Sequence, residues 1–100
     1  MEPLNLSHTS ALILQIVHSG RQYGFDIMEA TGLPSGTVYP ALRRLEQMEL
    51  VRSRWEKARA AVVEQRPPRK YYTVTTLGED TLARAQERFP LLQQLKEKAR

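Results

Sequence analysis

With 100 residues, 41% of them hydrophobic, the chain is long enough for one core and too short for two. Zero cysteines exclude disulfides and thiolate metal sites; without a basic, apolar leader the sequence fits a cytoplasmic protein, and no apolar run approaches the roughly 18 residues of a membrane span. The net charge of +4 is too small to argue for nucleic acid by itself, but it is unevenly distributed.

The first six residues carry no pattern and are expected to be loosely held. Ser7 or Thr9 caps a helix running to about Ser19, where Gly20 supplies the stop. Ala11, Leu12, Ile13, Leu14, Ile16 and Val17 leave almost no polar face before His18, so this helix is buried on more than one side. One side serves its own domain; the other needs the C-terminal helix or a second chain. His8 and His18 have no third ligand nearby and are surface or helix-end histidines rather than metal ligands. A second helix is expected from Arg21 to Thr31, with Tyr23, Ile27 and Ala30 on one face and Asp26 and Glu29 on the other. Gly32 suits a left-handed helix end, and Pro34 blocks continuation. So short a link containing glycine suits a helix-turn-helix, whose second helix is the reader.

That next helix lies between Leu33 and Val51. Val38, Ala41, Leu42, Leu45 and Met48 recur at helical spacing and point inward. Gly36, Tyr39, Pro40, Arg43 and Gln47 fall on the opposite face, with Arg44 beside them. Small residues at the N-terminus and arginines one turn later suit entry into a DNA major groove. Pro40 sits in the first or second turn whether Ser35 or Thr37 is the N-cap. From Thr37 it takes the third helical position, where its absent N–H would have no intrahelical partner anyway. The helix is expected to end near Glu49.

Leu50 to Lys57 alternates, with Val51, Ser53 and Trp55 facing one way and Arg52, Arg54 and Glu56 the other. Arg69 to Thr75 repeats the pattern, with Tyr72 and Val74 inward and Tyr71 and Thr73 outward, so two strands are predicted. Tyr72 and Trp55 are read as core or interface residues rather than DNA stackers. About a dozen residues join the strands, the length of a protruding wing. Pro67 and Pro68 stiffen its return limb, so Arg66 and Arg69 should be held in place. Ala60 to Val63 at the tip either continue the first strand or touch a partner. From Arg52 to Lys70 seven basic residues stand against two acids, a local balance of +5 that leaves −1 for the remainder. This is the footprint of a phosphate-contacting surface, the alternative being a solvated charged loop.

Thr76-Leu77-Gly78-Glu79 has the spacing of a capping box and starts the last helix. Leu82, Ala85, Phe89, Leu92, Leu95 and Ala99 then recur at intervals of three and four, as in a coiled-coil seam. Pro90 interrupts it, predicting a kink or break near Phe89. The seam packs on its own domain or on a second chain, and the doubly apolar first helix favours the second chain. Leu12, Ile16, Leu82, Ala85, Phe89, Leu92 and Leu95 then form the expected dimer interface. The chain divides into a DNA-binding domain at 1–75 and a C-terminal helical segment at 76–100.

Assembled, the elements make a mainly α fold with a small β-hairpin, a winged helix-turn-helix with a C-terminal helical tail. Tyr23-Gly24-Phe25-Asp26-Ile27, Thr31-Gly32-Leu33, Gly36-Thr37-Val38-Tyr39-Pro40-Ala41-Leu42-Arg43-Arg44-Leu45-Glu46, Leu50-Val51, Trp55-Glu56 and Arg69-Lys70-Tyr71-Tyr72-Thr73-Val74-Thr75-Thr76-Leu77-Gly78 resemble the PadR family of bacterial transcriptional regulators, over roughly residues 8–85. The resemblance implies a dimeric, mostly repressing regulator of a palindromic operator in double-stranded DNA. It places the helix of Thr37, Tyr39 and Arg43 in the major groove and the wing around Arg66 and Arg69 over adjacent phosphates. Larger members carry a long helical dimerisation domain, whereas about 25 residues follow the second strand here, as in the short subgroup. A small-molecule effector at the dimer interface is compatible with the family, although no residue identifies one.

Geometry divides the expected labour. Arg43 on a guanine edge discriminates bases by about 1–3 kcal/mol. Thr37 and Tyr39, near the helix N-terminus, suit phosphates or a thymine methyl. Lys57, Arg59, Arg66, Arg69 and Lys70 supply sequence-independent affinity, and Ser35, Arg44 and Gln47 complete the DNA-facing set. Pairing of Arg43 or Arg44 with Glu46 or Glu49 is worth about 0–1 kcal/mol at a surface and does not keep an arginine from DNA. No nucleophile–base set, Gly-rich phosphate loop or metal cluster is present, which argues against an enzyme and against any cofactor. The competing function is a winged helix that binds protein and not DNA. Against it stand the five excess positive charges of the wing.

Overall fold

The computed structural model describes residues 6–98, so residues 1–5 and Ala99, the end of the tail seam, lie outside the described residues. Eight elements follow one another: α1 (His8–His18), α2 (Gly24–Thr31), α3 (Ser35–Gln47), β1 (Val51–Trp55), α4 (Ala58–Val63), β2 (Lys70–Val74), α5 (Thr76–Arg88) and α6 (Pro90–Lys98). The mainly helical winged helix-turn-helix expected from the pattern is the fold observed. α1 is its hub. Ser7 Oγ caps it by accepting from the Ser10 N–H at 3.1 Å. Ala11, Ile13 and Leu14 are wholly buried, and the helix touches α2, α3, α5 and β2.

α2 begins at Gly24 rather than Arg21, because the preceding residues are taken up by the sheet. The Gln22 carbonyl accepts from the Tyr72 N–H at 2.7 Å, and Tyr23 bridges Tyr71 antiparallel. Ala30, expected on one face with Tyr23 and Ile27, is exposed, whereas Ile27 is buried. Gly32 ends α2 at φ 72°, a left-handed conformation that glycine reaches without a Cβ penalty. α3 has Pro34 at its N-cap with no side-chain cap bond, so neither Ser35 nor Thr37 serves as the cap. Pro40 therefore lies in the second turn, and the Gly36 carbonyl loses its helical donor. Val38, Ala41, Leu42 and Leu45 are buried beneath it. The helix closes through Leu50 N–H to the Leu45 carbonyl at 2.9 Å and Glu49 N–H to the Glu46 carbonyl at 3.0 Å. Glu49 sits at φ 61°, where a glycine is usual.

β1 and β2 pair antiparallel with Val51 opposite Val74, Ser53 opposite Tyr72 and Trp55 opposite Lys70. Val51 and Tyr72 are buried, but Trp55 is 65% exposed and is not a core residue. It stands at the end of β1, on the core-facing side of the sheet but past the core's edge. The wing tip neither extends β1 nor remains irregular: it forms α4, with Ala61 buried and Val62 and Val63 outward.

Thr75, not Thr76, caps α5: its Oγ1 accepts from the Gly78 N–H at 2.9 Å and donates to the Glu49 carbonyl at 2.7 Å. Glu79 is therefore one residue out of capping-box register. Phe89 leaves helical geometry at φ −119°, ψ 94°, and α6 starts at Pro90. α6 folds back against α1, where Gln15 Nε2 donates to the Leu92 carbonyl at 3.0 Å. Gln86 Nε2 donates to Gln15 Oε1 at 2.9 Å, closing a buried amide relay. Leu82, Ala85 and Leu92 are consequently buried in the protomer's own core, which removes them from the expected dimer surface. The break at Phe89 lets one chain satisfy its own seam. Leu12, Ile16 and Phe89 remain partly buried, and Leu95 is exposed.

Gly78 tests how tightly α5 is seated. A Cβ there collides with the Leu50 carbonyl oxygen and lies 2.7 Å from Val74 Cγ1. Gly78→Ala is expected to destabilise the fold by about 2–3 kcal/mol, the cost of overpacking against backbone. A chemical-denaturation midpoint equal to wild type would show that the junction is not rigid.

Candidate nucleic-acid interface

Two elements present the expected contact residues. On α3, Ser35, Tyr39, Arg43, Arg44 and Gln47 are exposed and Thr37 is half-buried. Gly36 lies on the same helix in open space: a Cβ added to it meets nothing within 4 Å. Glu46 accepts from Ser53 Oγ and stands 3.6 Å from Lys70 Nζ. Arg43 and Arg44 have no carboxylate partner among the described residues, so the pairing with Glu46 or Glu49 considered from sequence does not form. Tyr39 leans over α2, its ring occupying the space that a side chain on Gly24 would need.

The wing sorts its cations into two kinds. Lys57 and Arg59 are exposed, with no ion-pair partner among the described residues. Arg66 is different and corrects its assignment as a free phosphate ligand. Its guanidinium donates to both oxygens of Glu56 and, at 2.6 Å, to Glu64 Oε2. Its side chain is only 19% exposed, and that of Glu56 only 9%. Glu56 also accepts from the Arg69 N–H at 2.8 Å, while its own N–H donates to the Arg69 carbonyl at 2.8 Å. A two-pronged guanidinium–carboxylate pair, backed by main-chain bonds, staples the outgoing limb of the wing to the returning one.

Arg69 and Lys70 follow the staple, Arg69 turning toward the start of α2 and Lys70 toward Glu46 of α3. The Arg69 guanidinium lies 4.2 Å from the Tyr23 ring centroid. Lys70 Nζ lies 5.9 Å from the Trp55 ring and 5.7 Å from that of Tyr72. Burial pushes the Tyr72 phenol above its ordinary range; Glu46 and Tyr39 add to this and Arg43 opposes it. Between α3 and the wing these residues enclose an open groove of about 630 Å³, walled by Tyr23, Phe25, Tyr39 and Trp55. Sequence patterning missed this groove. Its one available signal was the Tyr23-Gly24-Phe25 triplet, in which the small middle residue leaves room for Tyr39.

The Arg66 guanidinium, with the Arg69 N–H and nearby charges, holds the Glu56 carboxyl at about 2, below its ordinary 4.5. The folded carboxylate is the more acidic one, so its contribution is fully present above pH 4.5 and is lost as pH falls through about 2. Amide-exchange protection of the Glu56 and Arg69 N–H groups is therefore expected to persist well below pH 4.5 and to collapse only near pH 2. Loss of protection with a midpoint near 4.5 would contradict the staple. Glu56→Gln should loosen the same amides at neutral pH.

Comparison with known proteins agrees with this geometry. The profile of the Transcriptional regulator PadR-like family matches residues 13–84. Among solved structures, a PadR-like transcription factor from Bacteroides fragilis shares 27% identity at a TM-score of 0.68, covering 91% of this chain and 88% of that one. A PadR family transcription regulator from Clostridium difficile R20291 shares 25% identity at a TM-score of 0.72, over 92% and 97% of the two chains. The smu.1704 protein from Streptococcus mutans UA159 shares 27% identity at a TM-score of 0.69, over 85% and 78%. No curated protein matches. The family profile spans the helix-turn-helix, the wing and most of α5, and the chain belongs to the PadR-like family of transcriptional regulators, which are not enzymes.

Proposed function

We propose that this regulator acts in the cytoplasm as a homodimeric repressor, binding a palindromic operator in double-stranded DNA through α3 and the wing. The observation that carries the proposal is the exposed face of α3. Two arginines without carboxylate partners among the described residues project from it, two turns beyond a glycine whose missing side chain leaves open space. A helix of this kind enters a major groove closely, and Arg43 is placed to reach a guanine edge. Ser35, Thr37 and Tyr39 lie near the N-terminus of α3 and suit phosphates, and Arg44 and Gln47 flank Arg43. Lys57, Arg59, Arg69 and Lys70 add sequence-independent affinity, whereas Arg66 acts through the shape of the wing. The repressing direction and the palindrome come from the family resemblance.

Dimerisation rests on a smaller surface than the sequence suggested. Leu12, Ile16 and Leu95 line an apolar groove of about 630 Å³ between α1, α5 and α6. A partner covering that groove would bury what Leu12 and Ile16 still expose, and Phe89, stacked on His8, lies beyond its lining. A monomer mass at micromolar concentration in sedimentation would refute the dimer.

An operator selected from a random duplex pool supplies the test. Arg43→Ala is expected to weaken operator binding by about 1–3 kcal/mol while changing non-specific binding little. Equal loss of both would remove its base-reading role. Replacing Lys57 and Arg59 by alanine should flatten the salt dependence by about 0.9 log units per lost phosphate contact. No salt-dependent retention of the folded protein on duplex DNA would sink the proposal and leave a protein-binding winged helix.

Gly36→Ala separates folding from contact. It is expected to stabilise the protein by about 0.5–1 kcal/mol, since glycine is a poor helix former and the added methyl meets nothing. The same change should weaken operator binding by keeping α3 from the groove. Unchanged DNA affinity in the stabilised variant would show that α3 does not approach DNA at this residue.

A further inference from the structure

The groove between α3 and the wing has a composition that DNA backbone contacts alone do not account for. Trp55, Phe25 and Tyr39 are 65%, 60% and 45% exposed, an unusual concentration of aromatic surface on a small domain. Three cations and no carboxylate line it. One of the three, Arg66, is neutralised by Glu56 and Glu64 on the wing side. The other two present positive charge beside ring faces: Arg69 has no acidic partner among the described residues, and Lys70 has only the 3.6 Å approach of Glu46. At about 630 Å³ the groove has the size of a small-molecule site. Flat aromatic walls favour a stacked π-system, and the cations beside them, Arg69 without an acidic partner among the described residues and Lys70 shared with Glu46, favour an anion attached to it.

We propose that this groove binds a free nucleotide, its base stacked on Tyr39 and Trp55 and its phosphate held by Arg69 and Lys70. An arginine and a lysine suit a phosphate, the first by its forked donors and the second as a point charge. A nucleotide seated there fills the space between α3 and the wing and excludes the DNA backbone from it. That exclusion rests on the proposed DNA-binding function; the nucleotide site does not.

Trp55 is the only tryptophan of the chain, so its fluorescence reports the groove directly and without DNA. The probe is AMP, with adenosine, inorganic phosphate and a short single-stranded oligonucleotide as separate arms. AMP is expected to change Trp55 emission saturably, with adenosine and phosphate each at least about tenfold weaker, as expected when two anchoring contacts act together. Arg69→Gln combined with Lys70→Gln should weaken AMP by at least about tenfold with an unchanged melting temperature. Should the double variant fail to fold, Lys70→Gln alone must still weaken AMP several-fold. AMP should also raise the apparent dissociation constant for operator DNA in proportion to its occupancy. The nucleotide site is overturned by no saturable change up to about 10 mM AMP, by an equal response to phosphate alone, or by undiminished binding in folded variants. Tighter binding of the oligonucleotide than of AMP overturns the free-nucleotide assignment. AMP binding that leaves operator affinity unchanged overturns the exclusion of DNA. Absence of DNA binding altogether overturns the proposed function, and the fluorescence titration still decides the site.

Discussion

The relative placement of α3 and the wing depends on one junction, where the main chain at Glu49 and Leu50 meets Thr75. The Leu50 carbonyl accepts from the Thr75 N–H at 3.0 Å, and the Glu49 carbonyl accepts from Thr75 Oγ1 at 2.7 Å. The same threonine oxygen caps α5 through Gly78, whose bare Cα lies against Leu50. Four element ends are tied there: the close of α3, the start of β1, the finish of β2 and the first turn of α5. Because Val51 pairs with Val74 immediately beyond the junction, both strands leave from one anchor. The hairpin cannot pivot about α3 without breaking a helix cap and a backbone bond together. This rigidity is what allows residues far apart in sequence, Tyr39 and Lys70 among them, to face a common groove.

The electrostatics of the wing follow from a second, local arrangement. Counted along the sequence, the two acids of the basic segment appear to dilute its charge. In the fold both are gathered onto a single arginine, Arg66, close to the protein surface but largely covered. Among the described residues, the remaining six cations of the segment form no ion pair with either of its acids. The trio of Arg66, Glu56 and Glu64 carries one net negative charge, and the segment's positive charge lies on the other six residues. The Glu56–Arg66 pair also sets the separation of the wing's limbs and keeps the Glu56 carboxylate largely covered, while Glu64 stays exposed. Exposed pairs contribute little to stability, but this one is largely screened from water and braced by two main-chain bonds. Its importance is geometric before it is energetic.

Much of this was legible in the residues, and the failures have physical causes. Helical spacing located α3, and alternation located the hairpin, because both signals repeat over many residues and each copy reports the same buried face. The start of α2 was misjudged because Tyr23 is drawn into a bridge with Tyr71, a partner 48 positions away that no local pattern encodes. Thr75 and Thr76 offered the same hydroxyl one residue apart, and only the position of the Glu49 carbonyl decides between them. Arg66 was grouped with the contact residues because a charge count cannot tell a paired cation from a free one. The tail seam had the same periodicity whether it was to be covered by its own domain or by another chain. Direct packing of α5 on α1 covers Leu82 and Ala85 from within, and the break at Phe89 turns Leu92 back onto the same core.

α3 itself shows why its outer face can carry residues that helices usually avoid. It has no side-chain cap, a glycine in its first turn, a proline in its second and a glutamate rather than a glycine in the left-handed position at its end. On intrinsic propensity Gly36 and Pro40 together cost roughly 4 kcal/mol relative to alanine. On the inner face Val38, Leu42 and Leu45 are wholly buried, and each such side chain contributes about 1.5–3 kcal/mol. Their sum, roughly 5–9 kcal/mol, exceeds the local penalty. Tertiary burial, not local preference, therefore keeps the helix formed. The outer residues are released from any duty to stabilise it and are free to be small at the N-terminus and cationic two turns later. A helix secured from beneath in this way gives up local stability on the face left for contact, where rules of propensity are expected to fail.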